Sequence, residues 1–519
     1  MSATPPQASQ ETSESAESAG PSVDAPAKGS VGRMLRNASL YGVGSVLASL
    51  ISQFIDPILS YHLTRAQFGL LGLATTVSGL LSATYTLGLD GAAGRLYYEA
   101  ERSEQQKKTL IGTLFSFHLL WLALLLVLHE LLGPWAYTRF FDQMPFAPYG
   151  RLVALALVLN AVSAVPRAVW AAREDVQKLM TIRVVGALAS AVVLFALLNL
   201  TDAGPSAVLW AEAVAALAMA VPTVHFVVRT YGFSWDNKAL AAALAFSLPM
   251  VVHLTSHWML NAADRFVIED LLGRDNVGLY TAAYKAMLVC ITLNLSLNSA
   301  YVPQFMRARQ DPEQQQFLGR AMTTLIGLSA AGALAVAALG PSAVRLFYSG
   351  QFASAADLLV MLAPGGVAQA LYLVFVNDLF HSKRTMIIPL LTLTSGLANV
   401  AFCYWWIPIG GLEAAAWATS AGYAVLALLV GLTSHLRGRL PWETQRMLRL
   451  AAVAVPAWFA LWAADGRIGL WAELALKIAI LAVAAAALWF SGFVAADDRL
   501  YTRAWLQQRL ARVLRRPQP

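Results

Sequence analysis

The sequence predicts an all-α polytopic membrane protein of about fourteen transmembrane helices, arranged as two six-helix lobes in parallel repeat with two further carboxy-terminal helices. Three observations carry this expectation. Of 519 residues, 58% are hydrophobic and only 13% are charged, about half the charged fraction of an ordinary soluble domain. From Ser39 to Val494 the apolar runs are broken only by short loops, and the Lys and Arg residues fall mainly in alternate loops.

A span needs ~20 mainly apolar residues to cross ~30 Å of hydrocarbon. The runs that meet this length are 39–63, 68–92, 109–133, 150–171, 182–201, 206–228, 239–262, 277–303, 320–346, 354–379, 386–408, 412–434, 449–464 and 469–493. Span 13 is short and interrupted by Pro456. Ahead of the spans, residues 1–32 are rich in Ser, Pro, Ala and Glu, with Glu11, Glu14, Glu17 and Asp24 against a single early Lys28. Such a segment buries too little surface to fold, and no basic start, apolar core and cleavage site mark it as a signal peptide. It reads as a disordered cytoplasmic tail. Residues 33–234 form the expected amino-terminal lobe, 235–440 the carboxy-terminal lobe and 441–495 the last two helices. The tail at 496–519 interleaves Leu and Trp with Arg between Arg499 and Arg516, the pattern of an amphipathic helix on an anionic leaflet.

Charge fixes the orientation. With the amino terminus inside, the outer loops and span ends hold only Arg65, Arg139, Arg151, Arg265, Arg274, Arg345 and Arg467, an inside excess of about four to one. Adding or losing a span midway would scramble that bias. Both termini are therefore expected in the cytoplasm. The outer loops are short, the longest at 134–149, which leaves no room for the outward domain of a membrane glycosyltransferase or polymerase. The net charge of +7 lies in short loops rather than on a soluble basic face, so nucleic acid is not an expected partner. Cys290 and Cys403 lie in apolar runs without metal spacing and read as packing residues.

An internal repeat supports the lobes. The turn TRAQFGLLGLA from Thr64 matches GRDNVGLYTAA from Gly273, aligning Arg65 with Arg274, Gly69 with Gly278, Leu70 with Leu279 and Ala74 with Ala283. Both copies follow an odd-numbered span. The repeats are thus parallel, about an axis along the membrane normal, with a site expected between them.

At these residues the sequence resembles the multidrug/oligosaccharidyl-lipid/polysaccharide flippase superfamily, and within it the polysaccharide-export branch, the O-antigen (Wzx-type) flippases. The opening helix pair from Ser39, GLDGAAGRLYYE from Gly88, the stretch from Ser247 with Pro249, Asp264, Arg265, Gly278, Tyr280 and Lys285, then Pro303 and RLFYSGQFASAADLL from Arg345, carry the likeness over residues 33–495. The resemblance implies twelve core helices in two lobes, alternating access, a bacterial inner-membrane location, and an undecaprenyl-diphosphate-linked oligosaccharide as substrate. It also implies membrane lipids as surroundings and a polysaccharide polymerase and a chain-length regulator as candidate partners.

No GxxxxGK[ST], HExxH or GxSxG motif occurs, so neither phosphate-loop hydrolysis nor those enzyme chemistries are expected, and no cofactor is implied. Ionisable residues inside spans are the informative set, because a charge at the bilayer centre costs ~2.5–3.5 kcal/mol even on lenient scales. Lys285 lies roughly 12 Å inside span 8, either as a cation for the diphosphate or as partner to a carboxylate on a neighbouring helix. Arg95 and Arg265 are the other candidate phosphate contacts, each with a bland reading as a positive-inside residue or local ion pair. Asp56, Asp90, Glu212, Asp264 and Asp378 are the candidates for ion coupling. His253 and His257 share a helix face at i, i+4 spacing, but two ligands without a third favour ordinary packing. The rival functions are a drug or metabolite cation antiporter of the same superfamily, a glycosyltransferase or polymerase, and a structural scaffold.

Overall fold

The computed structural model describes residues 55–97, 103–141, 144–173, 175–309, 314–382, 387–436 and 440–494. The expected tails at 1–32 and 496–519, and span 1 apart from its end, lie outside the described residues. The described residues form helices and turns without a strand. A helix over 55–62 (α1) is followed by α2 Arg65–Thr86, α3 Leu89–Tyr97, α4 Glu104–Phe140, α5 Arg151–Val162, α6 Ala164–Ala172, α7 Val176–Leu200 and α8 Ser206–Thr230. The second half comprises α9 Asn237–Ala262, α10 Asp264–Leu272, α11 Arg274–Ala308, α12 Gln315–Phe347, α13 Ala355–His381 and α14 Ile388–His435, and α15 Thr444–Ala464 and α16 Leu470–Phe490 close the chain.

Local chemistry sets several boundaries. Thr64 and Ser103 start α2 and α4 with reciprocal capping boxes, each closed by a Gln three residues on, which satisfies two otherwise orphan backbone donors per helix. Span 2 is broken between α2 and α3, where Leu87 and Gly88 both take positive φ (49° and 63°). Only Gly enters that region without steric cost, so Leu87 marks a bend held by packing; it is 7% exposed. Span 4 is divided between α5 and α6 at Ser163, and Ala263, just past the end of span 7, separates α9 from α10; both keep right-handed helical φ.

Among the described residues, twelve helical segments are long and apolar enough to cross a membrane. The difference from the fourteen expected runs has two sources. Span 1 falls mainly outside the described residues, and spans 11 and 12 join in the 48-residue α14. A straight helix of that length would reach about 72 Å. It does not: Gly411 sits at φ 59°, ψ −143°, and Asn399 Nδ2 donates to Ala418 O at 3.3 Å, atoms that a straight helix would hold about 28 Å apart. The element folds back as a hairpin at Gly411. The loop expected at 134–149 is shorter than its sequence suggests, because α4 continues through Pro134 to Phe140.

The core is built for close helix approach. Small side chains punctuate the buried faces of α13 and α14, where Gly365, Gly366, Ala370, Ala415, Ala416 and Ala418 are buried, which lets backbones pack closely without a hydrophobic driving force in lipid. Large apolar side chains such as Leu131, Val192 and Val483 point outward, as expected of a surface facing hydrocarbon.

Candidate functional site

The two repeats meet along α2 and α11. A Cβ on Gly69 would lie 2.1 Å from the Arg274 carbonyl oxygen, and one on Gly278 would lie 2.2 Å from that of Arg65. Each glycine thus faces the backbone of the repeat-equivalent turn in the other lobe. That reciprocity is the signature of a two-fold relation. Farther along, Gly72 faces Thr281, whose hydroxyl would sit 2.3 Å from an added Cβ.

Polar and aromatic contacts reinforce this end of the interface, the Arg65 face of the membrane. Arg65 Nε donates to Gln351 O, Ser349 N donates to Ser60 Oγ at 2.9 Å, and Gln351 Nε2 donates to Leu63 O at 2.9 Å. Phe68 and Phe352 pack edge-on at 5.1 Å. On the same two lobes Phe141 meets Phe266 at 5.1 Å, and Trp258 Nε1 donates to Thr76 O at 2.9 Å. The lobes are sealed together here by many small contacts.

Beneath the seal lies a charged group drawn from three helices. Lys285 of α11 donates to Asp56 of α1 as an ion pair, and its Nζ stands 5.3 Å from the centre of the Phe68 ring. Asp56 is buried, whereas the Lys285 side chain keeps 28% exposure. Glu212 of α8 lies within the electrostatic reach of Lys285, with no hydrogen bond or ion pair between them. Asp56 and Lys285, far apart in sequence, are therefore brought together as one pair.

The remaining candidates fall elsewhere. Asp264 and Arg265 sit at the α9–α10 junction within the carboxy-terminal lobe, at 0% and 6% exposure. Arg265 Nη1 donates to Asp264 Oδ1 at 2.9 Å and to Asn261 O at 2.8 Å, while its guanidinium lies 4.4 Å from the Tyr284 ring centre. Asp264 Oδ2 accepts from the Tyr280 hydroxyl at 2.5 Å and from Thr419 at 3.0 Å. Asp378 accepts from Arg309 Nε at 3.0 Å and Ser434 Oγ at 2.7 Å. Arg95, exposed on α3, lies 4.8 Å from the Phe246 ring of α9 and so touches the other lobe. Lys285, Arg95 and Arg265 have different neighbours: Asp56 and Phe68 for the first, Phe246 for the second, Asp264 and Tyr284 for the third. His257 Nδ1 lies 3.1 Å from Asn261 Nδ2.

Two features escape a sequence reading. Asp90 lines a cavity of about 770 Å³ together with Asn160, Arg167 and Arg183, between α3, α5, α6, α7 and α8. At the other end of the molecule Arg345 donates to Asp465, Glu473 and Asp357, and Lys477, fully buried, is ion-paired to Asp465 and Glu473. The i, i+4 pair Glu473 and Lys477 inside an apolar run was the available signal for the second.

Comparison with known proteins gives a family match and a fold. A family model described as "Polysaccharide biosynthesis protein" matches residues 58–357. No curated protein matches the chain significantly. The fold is similar to a solved structure of the lipid II flippase MurJ in an inward closed conformation, at 12% identity, TM-score 0.69, covering 87% of this chain and 99% of that one. It is also similar to an inward-facing multidrug resistance MATE family transporter of the MOP superfamily, at 14% identity, TM-score 0.63, covering 75% and 94%. A MOP superfamily transporter from Pyrococcus furiosus follows at 17% identity and TM-score 0.52, covering 78% and 93%.

Proposed function

We propose, on the premise that this chain belongs to the polysaccharide biosynthesis protein family, that it is a flippase carrying undecaprenyl-diphosphate-linked oligosaccharide repeat units across the bacterial inner membrane for a surface polysaccharide. The observation that carries this reading is the Lys285–Asp56 pair, an intramembrane charge contact between the two repeats with Glu212 nearby. A diphosphate arriving between the lobes competes with Asp56 for the ammonium, and exchange of one anion for the other gives substrate binding a direct hold on the lobe interface. The polar glycan and diphosphate move in the hydrated space between lobes while the lipid tail stays in hydrocarbon, so no large polar group crosses the bilayer core.

In this reading the Tyr97 face, which gathers the inner-loop cations, is cytoplasmic, as are both termini. Alternating access is rocking of the two repeats about the Gly69–Gly278 axis, closing the Arg65 face when the Tyr97 face is open. Lys285 binds as a point charge and Arg95 meets the headgroup near its entry. Arg265 acts at one remove, by holding Asp264 and the α9–α10 junction. Coupling ions would act at the carboxylates Asp56, Glu212 and Asp90, nearest the path, before Asp264 or Asp378. A polysaccharide polymerase and a chain-length regulator are the partners that this activity would feed.

The family and the basic residue in span 8 favour this over the cation antiporter, which needs an acidic site for its cargo. Gene deletion separates them. Accumulated lipid-linked repeat units with loss of surface polymer and unchanged drug tolerance support the flippase; normal lipid-linked pools with new drug sensitivity overturn it.

A further inference from the structure

We propose that the cavity between α3, α5, α6, α7 and α8 in the amino-terminal lobe is a loading site for the diphosphate group, built around Arg167 and Arg183. The inference rests on the flippase reading for the identity of the anion, and adds a site and two residues to it.

The argument starts from partners. Other arginines and lysines within the helical domain carry a carboxylate: Lys285 has Asp56, Arg265 has Asp264, Arg309 has Asp378, and Arg345 and Lys477 share Asp465 and Glu473. Among the described residues, no carboxylate lies within 4.0 Å of Arg167 or Arg183. Arg167 is half-buried, and its Nη1 bonds Asn160 Oδ1 at 2.9 Å and Met219 Sδ at 3.0 Å, which fixes the guanidinium without neutralising it. The charges that act on it are Asp90, attractive, and Arg183, repulsive. Two guanidiniums and one carboxylate facing one space leave a net positive charge, and an anion between the arginines removes their repulsion. Arg matches phosphate oxygens bidentately, which a lone ammonium cannot.

Shape agrees with charge. Gly91 and Gly94 on α3 and Ala164, Ala168 and Ala171 on α6 line the cavity, and a Cβ on Gly94 would meet nothing within 4 Å. Small residues on both helices hold the space open rather than fill it. Its volume of about 770 Å³ lies in the range of small-molecule sites and exceeds what a diphosphate alone requires. The same face of α3 that supplies Asp90, Gly91 and Gly94 leads within one turn to Arg95, which touches the other lobe. An anion loaded against Arg167 and Arg183 therefore has a next cation on the way to the interface.

The test is binding to the full chain in nanodiscs of zwitterionic lipid, with geranylgeranyl diphosphate, geranylgeraniol and inorganic pyrophosphate as probes. The wild type is expected to bind the prenyl diphosphate more tightly than the alcohol. Arg167→Gln/Arg183→Gln is expected to weaken the diphosphate by about tenfold or more and leave the alcohol unchanged, while Arg167→Lys/Arg183→Lys, with an unchanged melting temperature, falls between the wild type and the Gln pair, because an ammonium keeps the charge and loses the bidentate geometry. Competition by inorganic pyrophosphate supports an anion site that reads the diphosphate alone, and its failure with retained prenyl diphosphate binding supports one that reads the lipid-linked group. Unchanged diphosphate affinity in the Gln pair together with loss in Lys285→Gln overturns the loading site and leaves the flippase reading standing. No preference for diphosphate over alcohol in the wild type overturns both.

Discussion

Asp56 of α1 and Lys285 of α11 join the two repeats through an ion pair set inside the membrane span, one partner buried and the other still partly accessible. A pair of this kind is costly to break by halves, because the remaining charge is left in a poor solvent, at about 3–5 kcal/mol for a buried site. Lys285→Ala is therefore expected to lower the melting temperature and abolish transport. The exchanged pair Asp56→Lys/Lys285→Asp should recover much of the folding stability but not the transport, since the cation then stands on the wrong helix. Thermal unfolding and a flipping assay on the wild type and these two variants give both readouts; recovery of full transport by the exchange would remove Lys285 from substrate binding.

Gly69 and Gly278 leave no room for a methyl group, and what stands in the way is backbone carbonyl rather than a movable side chain. Gly69→Ala and Gly278→Ala should each destabilise by about 1–3 kcal/mol, and the double variant by less than the sum because one contact is shared. Gly469→Ser is the control, since nothing lies within 4 Å of a Cβ there and Ser is a better helix N-cap than Gly. Additive losses measured by chemical denaturation would mean that the two glycines do not share a contact.

The cluster of Arg345, Asp465, Glu473 and Lys477 ties the last two helices to α12. Lys477→Met should destabilise by about 1–3 kcal/mol, because it leaves Arg345 as the one cation, among the described residues, facing the carboxylates of Asp465 and Glu473. Lys477→Met/Glu473→Gln should recover part of that loss. The measurement is the unfolding midpoint in detergent; a fully neutral Lys477→Met would show that the cluster adds nothing to docking.

Asp465, in the turn between α15 and α16, gives this cluster a pH signature. Burial alone would raise its carboxyl, but the bonds from Arg345 and Lys477 outweigh burial and hold it below the ordinary range. A group with a depressed native pKa contributes stability that is fully present above its unfolded value, about 3.9, and lost as pH falls through the lowered native value. The melting-temperature gap between wild type and Asp465→Asn should thus be constant near neutrality and shrink below about pH 4. A gap that narrows between pH 8 and 6 would point to a different titrating group.

The spans were legible because each is a run of apolar residues long enough for the bilayer, and even the hairpin inside α14 was marked by Gly410 and Gly411 between two such runs. The repeat was legible too, since Gly69 and Gly278 are forced by backbone contact in both copies. The partners of the buried charges were not. Asp56 and Lys285 are joined only by the packing of α1 on α11, which leaves no local pattern, and the partner of Arg265 is adjacent in sequence but its burial is decided by Tyr280, Tyr284 and Thr419 from other helices. A charge count groups Arg167 and Arg183 with the inner-loop cations, because nothing short of the cavity between α3 and α6 distinguishes a residue that orients a loop from one that lines a site. The bend at Leu87 was hidden for a related reason: a leucine does not announce a break.

The central claim, that this chain moves a diphosphate-linked saccharide lipid between leaflets, is tested most directly by reconstitution. Purified protein in proteoliposomes carrying a fluorescent polyprenyl-diphosphate oligosaccharide is assayed for dithionite-accessible label with time, beside Lys285→Glu and empty liposomes. The account predicts that the wild type raises the accessible fraction well above the half set by random labelling of the two leaflets, and that Lys285→Glu matches empty liposomes. Wild-type traces that overlie those of empty liposomes, with the protein folded and inserted, would contradict it.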